Sequence, residues 1–468
     1  MVGITSYGAY VPLWRLGKGT ADWRAPGERS MASFDEDSIT MAVAAAINCL
    51  GNTDRSTVDG LIFASTTSPY AEKQAATTVS LGADLRRDIT TMDCTDTLRA
   101  GTTAMRAAID AVKAGSARKV LLTVADMPMG GPRSSVEANS GDGAAAFLFG
   151  NTDVAVEVLD SYTIADEITD IWRPAGDATK ATWEDRFCLE EGYVRNVKEA
   201  ATAMMKKAKL TPKDFAKAVF YAPDARRHRE MARTLGFAPE AVQDPLFGTV
   251  GSAGAAHVPM MLVAALEEAK PGDKILVVSY GNGADAYVLQ VSGQIEKIRG
   301  QRGIKALVAS KKILPEYGTY LQWRGLFSPD SGVRRPPLMP PSAPAVLRER
   351  DWNLRFHGVK CNNCGYIQHP PQRVCTKCHA RDNFEAVRLS DKRAKVFTYA
   401  MDYVAGTIDV PMVLCVLNLE GGGRILSAMT DRDINEMKVG MPVELSFRKL
   451  YYVGGVHNYF WKCIPVRA

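Results

Sequence analysis

The sequence contains no long apolar segment. None of its runs approaches the roughly 18 consecutive apolar residues that a membrane-spanning helix needs, so we expect no membrane span. The opening residues, MVGITSYGAYVP, also lack the basic stretch followed by an apolar stretch that marks a secretion signal. These two absences predict a cytoplasmic protein.

Charge of one sign is also scarce. The chain has 468 residues, and its 57 lysines and arginines against 52 aspartates and glutamates leave a net charge of only +5. So small a surplus is compatible with a polyanionic small-molecule ligand but does not require one. It argues against a protein devoted to nucleic-acid binding.

Cysteine is present, but its pattern does not fit a disulfide framework. Four of the nine cysteines fall between positions 361 and 378, and the other five are scattered. An odd, scattered set in a chain without a secretion signal argues against disulfides. The scattered cysteines are Cys49, Cys94, Cys188, Cys415 and Cys463.

A proline-rich segment divides the chain once. Residues 329–345 contain six prolines and no hydrophobic periodicity, which predicts an extended, partly stiff linker. We therefore predict one large domain over 1–328, a helix and a zinc ribbon over 346–384, and a small β-domain over 385–468.

The first domain is predicted to be α/β. Apolar runs such as GLIFAST and KVLLTVAD are typical of buried strands, and Ala-rich stretches such as AGTTAMRAAIDAVKAG are typical of helices. Strands that alternate with helices indicate an α/β fold with buried sheets.

An internal echo predicts that this domain is duplicated. MRAAIDAVKAGSARKVLLTVAD resembles MLVAALEEAKPGDKILVVSYG at an offset of 155 residues. Two halves packed about a pseudo-twofold axis explain such an echo better than a solenoid, which needs more copies. The same offset pairs Cys94 with Thr249, so we expect two helix N-termini to converge there, an environment that favours a thiolate.

Cys94 is the candidate nucleophile. It lies in TTMDCTDTLRAGTTAM, where a β-branched run reaches the cysteine and a helical stretch follows. We predict that the thiol lies at the first turn of that helix, where its pKa would fall. The alternative is a small apolar side chain that fills the core.

A second cysteine pattern predicts a metal site. CNNCGYIQHPPQRVCTKC has the spacing C-x2-C-x10-C-x2-C, which supplies four thiolates to a closed, tetrahedral zinc site. The predicted ligands are Cys361, Cys364, Cys375 and Cys378. Such a closed site is structural. The minor alternative is a zinc site with three cysteines and one histidine as ligands. The β-type runs that follow, with their Gly turns, predict a small barrel.

Residues 1–328 resemble the thiolase superfamily, in the branch of 3-hydroxy-3-methylglutaryl-CoA synthase and ketoacyl synthase III. The segments that carry the resemblance include VGITSYGAYVP, SGDGAAAFLFG, FYAPDARRHREMARTLGF, PGDKILVVSYGNGADAY and YGTYLQWRGL. The rest of the chain resembles the zinc-ribbon-plus-OB-fold proteins that accompany thiolase-like enzymes in acyl-CoA metabolism. The resemblance implies a duplicated five-layered thiolase fold, then a rubredoxin-like zinc ribbon and an OB-fold barrel.

The resemblance also implies a reaction and a site. A CoA thioester would acylate Cys94, and the backbone N–H groups of Cys94 and Asn282 would form the oxyanion hole. A homodimer or a higher homo-oligomer is expected. No CoA-binding residue is assigned from the sequence.

The sequence differs from the family at the positions of the residues that transfer protons or polarise the substrate. The family glutamate is replaced by Thr66 or Thr67, the family histidine by Tyr221, and the family asparagine by Thr249 or a neighbour. We expect Tyr221 or His257 to replace the missing groups. The weaker candidates are Asp224, His228 and Glu72.

Four functions remain open on the sequence. The favoured one is a CoA-dependent enzyme that forms or cleaves a carbon–carbon bond beside a thioester, by Claisen condensation or thiolysis, through acylated Cys94. The runner-up is an aldolase-type lyase that acts on a β-hydroxyacyl-CoA with Tyr221. A non-catalytic scaffold and a nucleic-acid-binding protein come last, although RKLYYVGGVHNYFWKC interleaves basic and aromatic residues.

Overall fold

The structure is a computed structural model that describes residues 1–299, 302–328 and 339–467. Positions 329–338 of the predicted linker lie outside the described residues, so the linker and the domain boundaries drawn from it stay predictions. The chain forms two compact units. Unit 1 is Met1–Ala32, Asp37–Ser80 and Leu85–Thr319, and unit 2 is Ser33–Glu36, Leu81–Asp84 and Tyr320–Ala468.

The helices are mostly short. They are α1 (Ser38–Leu50), α2 (Ala76–Gly82), α3 (Ala100–Lys113), α4 (Ser135–Asn139), α5 (Asp185–Phe187), α6 (Arg195–Ala208), α7 (Ala225–Leu235), α8 (His257–Glu268), α9 (Ile304–Ala309), α10 (Tyr317–Trp323), α11 (Ala343–Arg348) and α12 (Arg350–Asn353). Within the described ranges, none of them has the length and apolar character that crossing a bilayer requires.

Unit 1 also contains strands of very different lengths. They are β1 (Gly3–Tyr10), β2 (Trp14–Leu16), β3 (Arg29–Met31), β4 (Gly60–Ser65), β5 (Thr90–Thr95), β6 (Lys119–Asp126), β7 (Gly143–Gly150), β8 (Val156–Ala165), β9 (Ile171–Trp172), β10 (Ala181–Thr182), β11 (Lys217–Phe220), β12 (Lys274–Tyr280), β13 (Gly283–Val291) and β14 (Lys312–Ile313).

The main sheet of unit 1 is symmetric, as the internal echo predicts. Its nine strands run β11-β12-β13-β8-β1-β7-β6-β4-β5, so β6 and β12, which carry the echo, lie at equivalent distances from the centre. The halves join where β1 pairs with β8 through only two residue pairs, Gly3 with Glu157 and Ile4 with Val156. Apolar strands such as GAAAFLFG in β7 are buried throughout, which is typical of strands covered on both faces.

The helices complete a layered arrangement. Helix α1 packs on β1 and β7, and α6 packs on β8 and β13 of the other half. Helices α3 and α8 pack against each other and against strands of the two halves, so they form the layer between them. This is the predicted five-layered fold.

Helix α1 illustrates how the sequence sets a local boundary. The Asp37 side chain accepts from the Thr40 backbone N–H, and the Thr40 side chain in turn satisfies the Asp37 backbone N–H. This reciprocal capping box fixes the start of the helix. Asp224 plays the N-cap part in α7, because its carboxylate accepts from the Arg227 N–H at 2.9 Å.

Unit 2 contains the two predicted small folds. Its strands are β15 (His357–Cys361), β16 (Ile367–Gln368), β17 (Phe384–Arg388), β18 (Ala394–Asp402), β19 (Met412–Leu419), β20 (Arg424–Met429), β21 (Pro442–Val453) and β22 (Val456–Pro465). The first three form a small sheet, and the last five close into a barrel in the order β18-β19-β20-β22-β21. In β19, buried Val413, Cys415 and Leu417 alternate with more exposed residues, as a barrel wall requires.

A buried ionic cluster lies within unit 2. The Arg448 side chain is fully buried, and its guanidinium contacts Asp35 and Glu36 at 3.1 Å each and Asp431 at 2.6 Å. The Lys462 ammonium pairs with the other oxygen of Asp35 at 2.8 Å. We call these five residues the Arg448 cluster.

Candidate active site

Cys94 does not lie where the sequence predicts. It belongs to strand β5, where it is in register with Ala64, and helix α3 begins only at Ala100. Its Sγ donates to the Ala100 carbonyl at 3.4 Å. The predicted position of Cys94 at the first turn of a helix is therefore wrong, because the β-branched run extends the strand through Thr95 and a turn separates strand from helix.

The electrostatics do not favour a thiolate at Cys94 either. Burial raises the pKa of the thiol, and the carboxylates of Asp285 and Asp96 raise it further. A reactive cysteine usually shows the opposite shift, since the thiolate is the nucleophile.

Leu98 occupies the place predicted for the nucleophile. The Thr97 hydroxyl donates to the Gly281 carbonyl at 3.1 Å, and the Arg99 guanidinium donates to the Asn282 carbonyl at 3.1 Å. A Cβ on Gly281 would come within 2.9 Å of the Leu98 backbone N, so only glycine allows this approach. The turn before α3 therefore lies against the Gly281–Asn282 turn through residues 97–99, and Leu98, not Cys94, is the side chain there that lines a cavity.

Two cavities open beside these elements. The Leu98 cavity, of about 380 Å³, is lined by residues that include Thr66, Thr67, Leu98, Asp170, Lys180 and Asn282. The Tyr221 cavity, of about 630 Å³, is lined by residues that include Lys180, Glu190, Tyr221, Asp224 and Arg227. Ile171 and Lys180 line both cavities, whereas Cys94 and His257 line neither.

Tyr221 is one of the predicted proton carriers that line a cavity. It directly follows β11, and its backbone N–H donates to the Val278 carbonyl at 3.0 Å. Its ring packs edge-to-face on Tyr193 and on His257. Burial, with the charges of Asp170 and Asp224, raises the pKa of Tyr221 well above the ordinary value, so its hydroxyl stays protonated and can donate.

His257 is not brought to a cavity. It is the first residue of α8 and is buried under the Tyr221 ring. Burial, aided by His228, lowers the pKa of His257 to about 3, so the imidazole is a weak base. The His228 ring stacks on Phe220, which gives it a packing role. Asp224, already the cap of α7, also lines the Tyr221 cavity, whereas Glu72 lines neither cavity.

Asp126 is a residue that the sequence did not single out. Its buried carboxylate accepts from the hydroxyls of Ser65, Thr66 and Thr67 at 2.8 to 2.9 Å. It also accepts from the backbone N–H groups of Thr66, Thr67 and Ala255. Thr66 and Thr67, one of which is predicted to stand in place of the family glutamate, therefore use their hydroxyls to hold Asp126. In the sequence, the one sign of this role is the carboxylate at the end of KVLLTVAD.

The four predicted zinc ligands come together in unit 2. Their sulfur atoms all lie within 4.8 Å of one another. The Cys361 and Cys378 sulfurs are 3.6 Å apart, and so are those of Cys364 and Cys375. A tetrahedron with Zn–S bonds of about 2.3 Å has S···S edges of about 3.8 Å, so these thiols fit zinc. His369 instead packs on the Phe356 ring.

Comparison with known proteins agrees with this arrangement. A model of the 3-oxoacyl-[acyl-carrier-protein] synthase III C-terminal region matches residues 205–291. The rubredoxin-like zinc ribbon of ChsH2 matches residues 354–385, and the ChsH2 C-terminal OB-fold domain matches residues 386–448.

Individual relatives match a longer stretch of the chain than any of these models does. The hydroxymethylglutaryl-CoA synthase of Methanopyrus kandleri is 32% identical over 340 residues, which cover 69% of this chain and 97% of that protein. The chain belongs to the hydroxymethylglutaryl-CoA synthase family. The enzyme of the same name from Pyrococcus horikoshii is 32% identical over 338 residues, covering 69% of this synthase-family chain and 96% of the relative.

Solved structures show the shared fold. A hydroxymethylglutaryl-CoA synthase complexed with CoA superimposes with a TM-score of 0.62 at 18% identity, over 69% of this chain and 89% of that one. The 3-oxoacyl-[acyl-carrier-protein] synthase III of Aquifex aeolicus gives 0.54 at 21% identity, over 62% and 100%. The predicted family, fold class and zinc are thus confirmed, and the chain is related to acyl-condensing enzymes.

Proposed function

We propose that this synthase-family protein makes or breaks a carbon–carbon bond in a β-hydroxyacyl-CoA by aldol-type chemistry, without an acyl-cysteine intermediate. The family relationship and the CoA-bound structural neighbour support a CoA thioester as substrate. One observation favours the aldol route over the acyl-Cys94 route: the cavity presents Tyr221, whereas Cys94 lies on a strand outside both cavities.

The reaction balances with the groups present. In cleavage, the β-hydroxyl passes its proton to the Asp224 carboxylate, which lines the same cavity, the Cα–Cβ bond breaks, and its electron pair moves to the thioester oxygen as an enolate. An aldehyde or ketone leaves, and return of the proton from Asp224 to Cα gives the shorter acyl-CoA. Addition is the reverse. Tyr221, which stays protonated, donates to the β-oxygen while that oxygen carries charge.

A conservative substitution tests this role. Tyr221→Phe removes only the hydroxyl and should lower kcat/KM for β-hydroxyacyl-CoA by about 100-fold or more, the usual share of an acid catalyst. The assay is a panel of β-hydroxyacyl-CoA thioesters, with products followed by liquid chromatography and mass spectrometry. Tyr193→Phe is the matched control, because its ring touches Tyr221 but lines neither cavity.

Cys94→Ala separates the two mechanisms. We expect this variant to keep turnover within about threefold, and intact-mass measurement of the wild type to show no acyl increment with any thioester. An increment that disappears in Cys94→Ala together with turnover would restore the acyl-enzyme route. Failure to act on any thioester in the panel would contradict the proposed enzyme.

A further inference from the structure

Lys180 stands at the junction of the two cavities. It belongs to the lining of both, and it precedes β10 in the β9–β10 hairpin. Its backbone N–H donates to the Met129 carbonyl at 2.9 Å, which anchors the residue to the loop after β6. A cation is thereby held where the Leu98 cavity and the Tyr221 cavity meet.

Nowhere in the described part of the chain does an anion pair with the Lys180 ammonium. Among the described residues, no hydrogen bond or ion pair of its Nζ is found, although Asp126 acts on it at longer range. Asp126 already accepts six hydrogen bonds. Two carboxylates of the cavity linings also have other partners: Asp170 accepts from the Tyr280 hydroxyl, and Glu190 pairs with Arg186.

The groups that face Lys180 from the surrounding elements do not neutralise it. Arg29 on β3 adds positive charge, and Asp126 on β6 offsets it in part. His257 on α8 feels the Lys180 charge and has a lowered pKa, so it stays neutral. A cation in a cavity with no paired anion is a ready partner for an oxyanion in the ligand.

We infer that Lys180 is a catalytic residue that binds the thioester oxygen as it becomes an enolate. The inference rests on the proposed function. It gives Lys180 the stabilisation of the oxyanion that the family resemblance implies for the backbone N–H groups of Cys94 and Asn282. When the Cα–Cβ bond breaks, the electron pair reaches the thioester oxygen, and an N–H of the ammonium donates to that oxygen. The ammonium keeps its proton throughout, and Cα takes up the proton that left the β-hydroxyl, so no further reactant is required.

The pH dependence gives the expected sign. Burial is the main reason that the pKa of Lys180 falls to about 8 from an ordinary 10.5. The charged form is required, so kcat should be constant below about pH 8 and fall above it. Lys180→Arg keeps its charge and should remove this alkaline decline. Lys180→Met should lower kcat by about 100-fold below about pH 8, the typical loss of an oxyanion donor, and the difference from the wild type should shrink at higher pH.

The control is Lys198→Met, an exposed lysine that lines neither cavity and should leave turnover unchanged. A KM increase without loss of kcat in Lys180→Met would mean that Lys180 only binds CoA, and it would overturn the inference. An unchanged kcat and pH profile would do the same.

A second readout works without turnover. Acetoacetyl-CoA has no β-hydroxyl to cleave, and its enolate has its own ultraviolet absorption band. We expect wild-type protein to raise the enolate fraction at neutral pH and Lys180→Met to lose that effect. A Lys180-dependent band without turnover would keep the inference and reject the proposed reaction, whereas no band with the wild type would overturn the inference.

Discussion

Removal of zinc will unfold the ribbon of unit 2. Structural zinc contributes roughly 10–16 kcal/mol in small zinc-binding peptides, more than a sheet of three short strands can replace. The Cys361 and Cys375 side chains are fully buried at this site, so without zinc the folded ribbon would leave their thiols with neither metal nor solvent as a partner. Treatment with a strong chelator should release one zinc ion and expose residues 354–385 to proteolysis.

Single ligand substitutions should show the same loss. Cys375→Ser is expected to lower the bound metal below half occupancy and to lower the thermal midpoint of unit 2. Cys188→Ser is the matched control, because this half-buried cysteine lies in unit 1, far along the chain from the ligands. Full zinc content in Cys375→Ser, measured by elemental mass spectrometry, would contradict the four-cysteine assignment.

Loss of the central guanidinium of the Arg448 cluster is the second large effect. In Arg448→Met, the buried carboxylates of Asp35, Glu36 and Asp431 would each lose the guanidinium, and Asp35 would keep its pairing with Lys462. Breaking a buried ion pair by removing one partner costs about 3–5 kcal/mol, because it leaves an uncompensated charge. Urea unfolding followed by fluorescence should show a decrease of this size, and exposed Lys395→Met should show less than about 0.5 kcal/mol.

Acid should act on the same cluster. Burial alone would raise the pKa of Asp35, but Lys462 and Arg448 hold it at about 2, below its ordinary 3.8. A carboxyl with a lowered folded-state pKa contributes stability above its unfolded pKa and loses it as the pH falls. Wild-type stability should therefore decline between about pH 4 and pH 2, and in Arg448→Met the decline should be smaller, because one of the two cations that lower the pKa of Asp35 is gone. Equal acid profiles for the two proteins would argue against the ion pairing.

What the sequence predicted well depends on local spacing or on strong periodicity. The zinc ligands follow from two short Cys-x2-Cys pairs, and closure around a metal needs no knowledge of distant residues. The duplicated sheet follows from the echo between β6 and β12, since each copy carries its own buried strand and hairpin.

The error at Cys94 has a physical cause. Arg99 precedes α3 without any side-chain capping bond, so the sequence offers no N-cap signal for the start of the helix. The turn from strand to helix is fixed by contacts of Thr97 and Arg99 with the Gly281–Asn282 turn, more than 180 positions away. Local pattern therefore predicts a helix near Cys94 but not which residue opens it.

Lys180 and Asp126 were missed for a related reason. Lys180 lies in a hairpin whose strands have two residues each, too short for any periodicity. Asp126 ends a buried strand, and its partners come from the end of β4 and from Ala255. Both residues acquire their meaning only when distant segments meet.

Strand β5 has a consequence for how the molecule behaves at high concentration. It is the last strand of the nine-stranded sheet, with Met92 40% exposed, and only its β4 side is paired with a strand in the described residues. The Gln74 side-chain amide donates to the Thr91 carbonyl at 2.9 Å, but this bond satisfies a small part of the backbone polar groups along the outer side of β5. Open edges of this kind invite pairing with another chain. If the predicted homodimer uses this edge, conditions that separate the subunits should cause aggregation before unfolding.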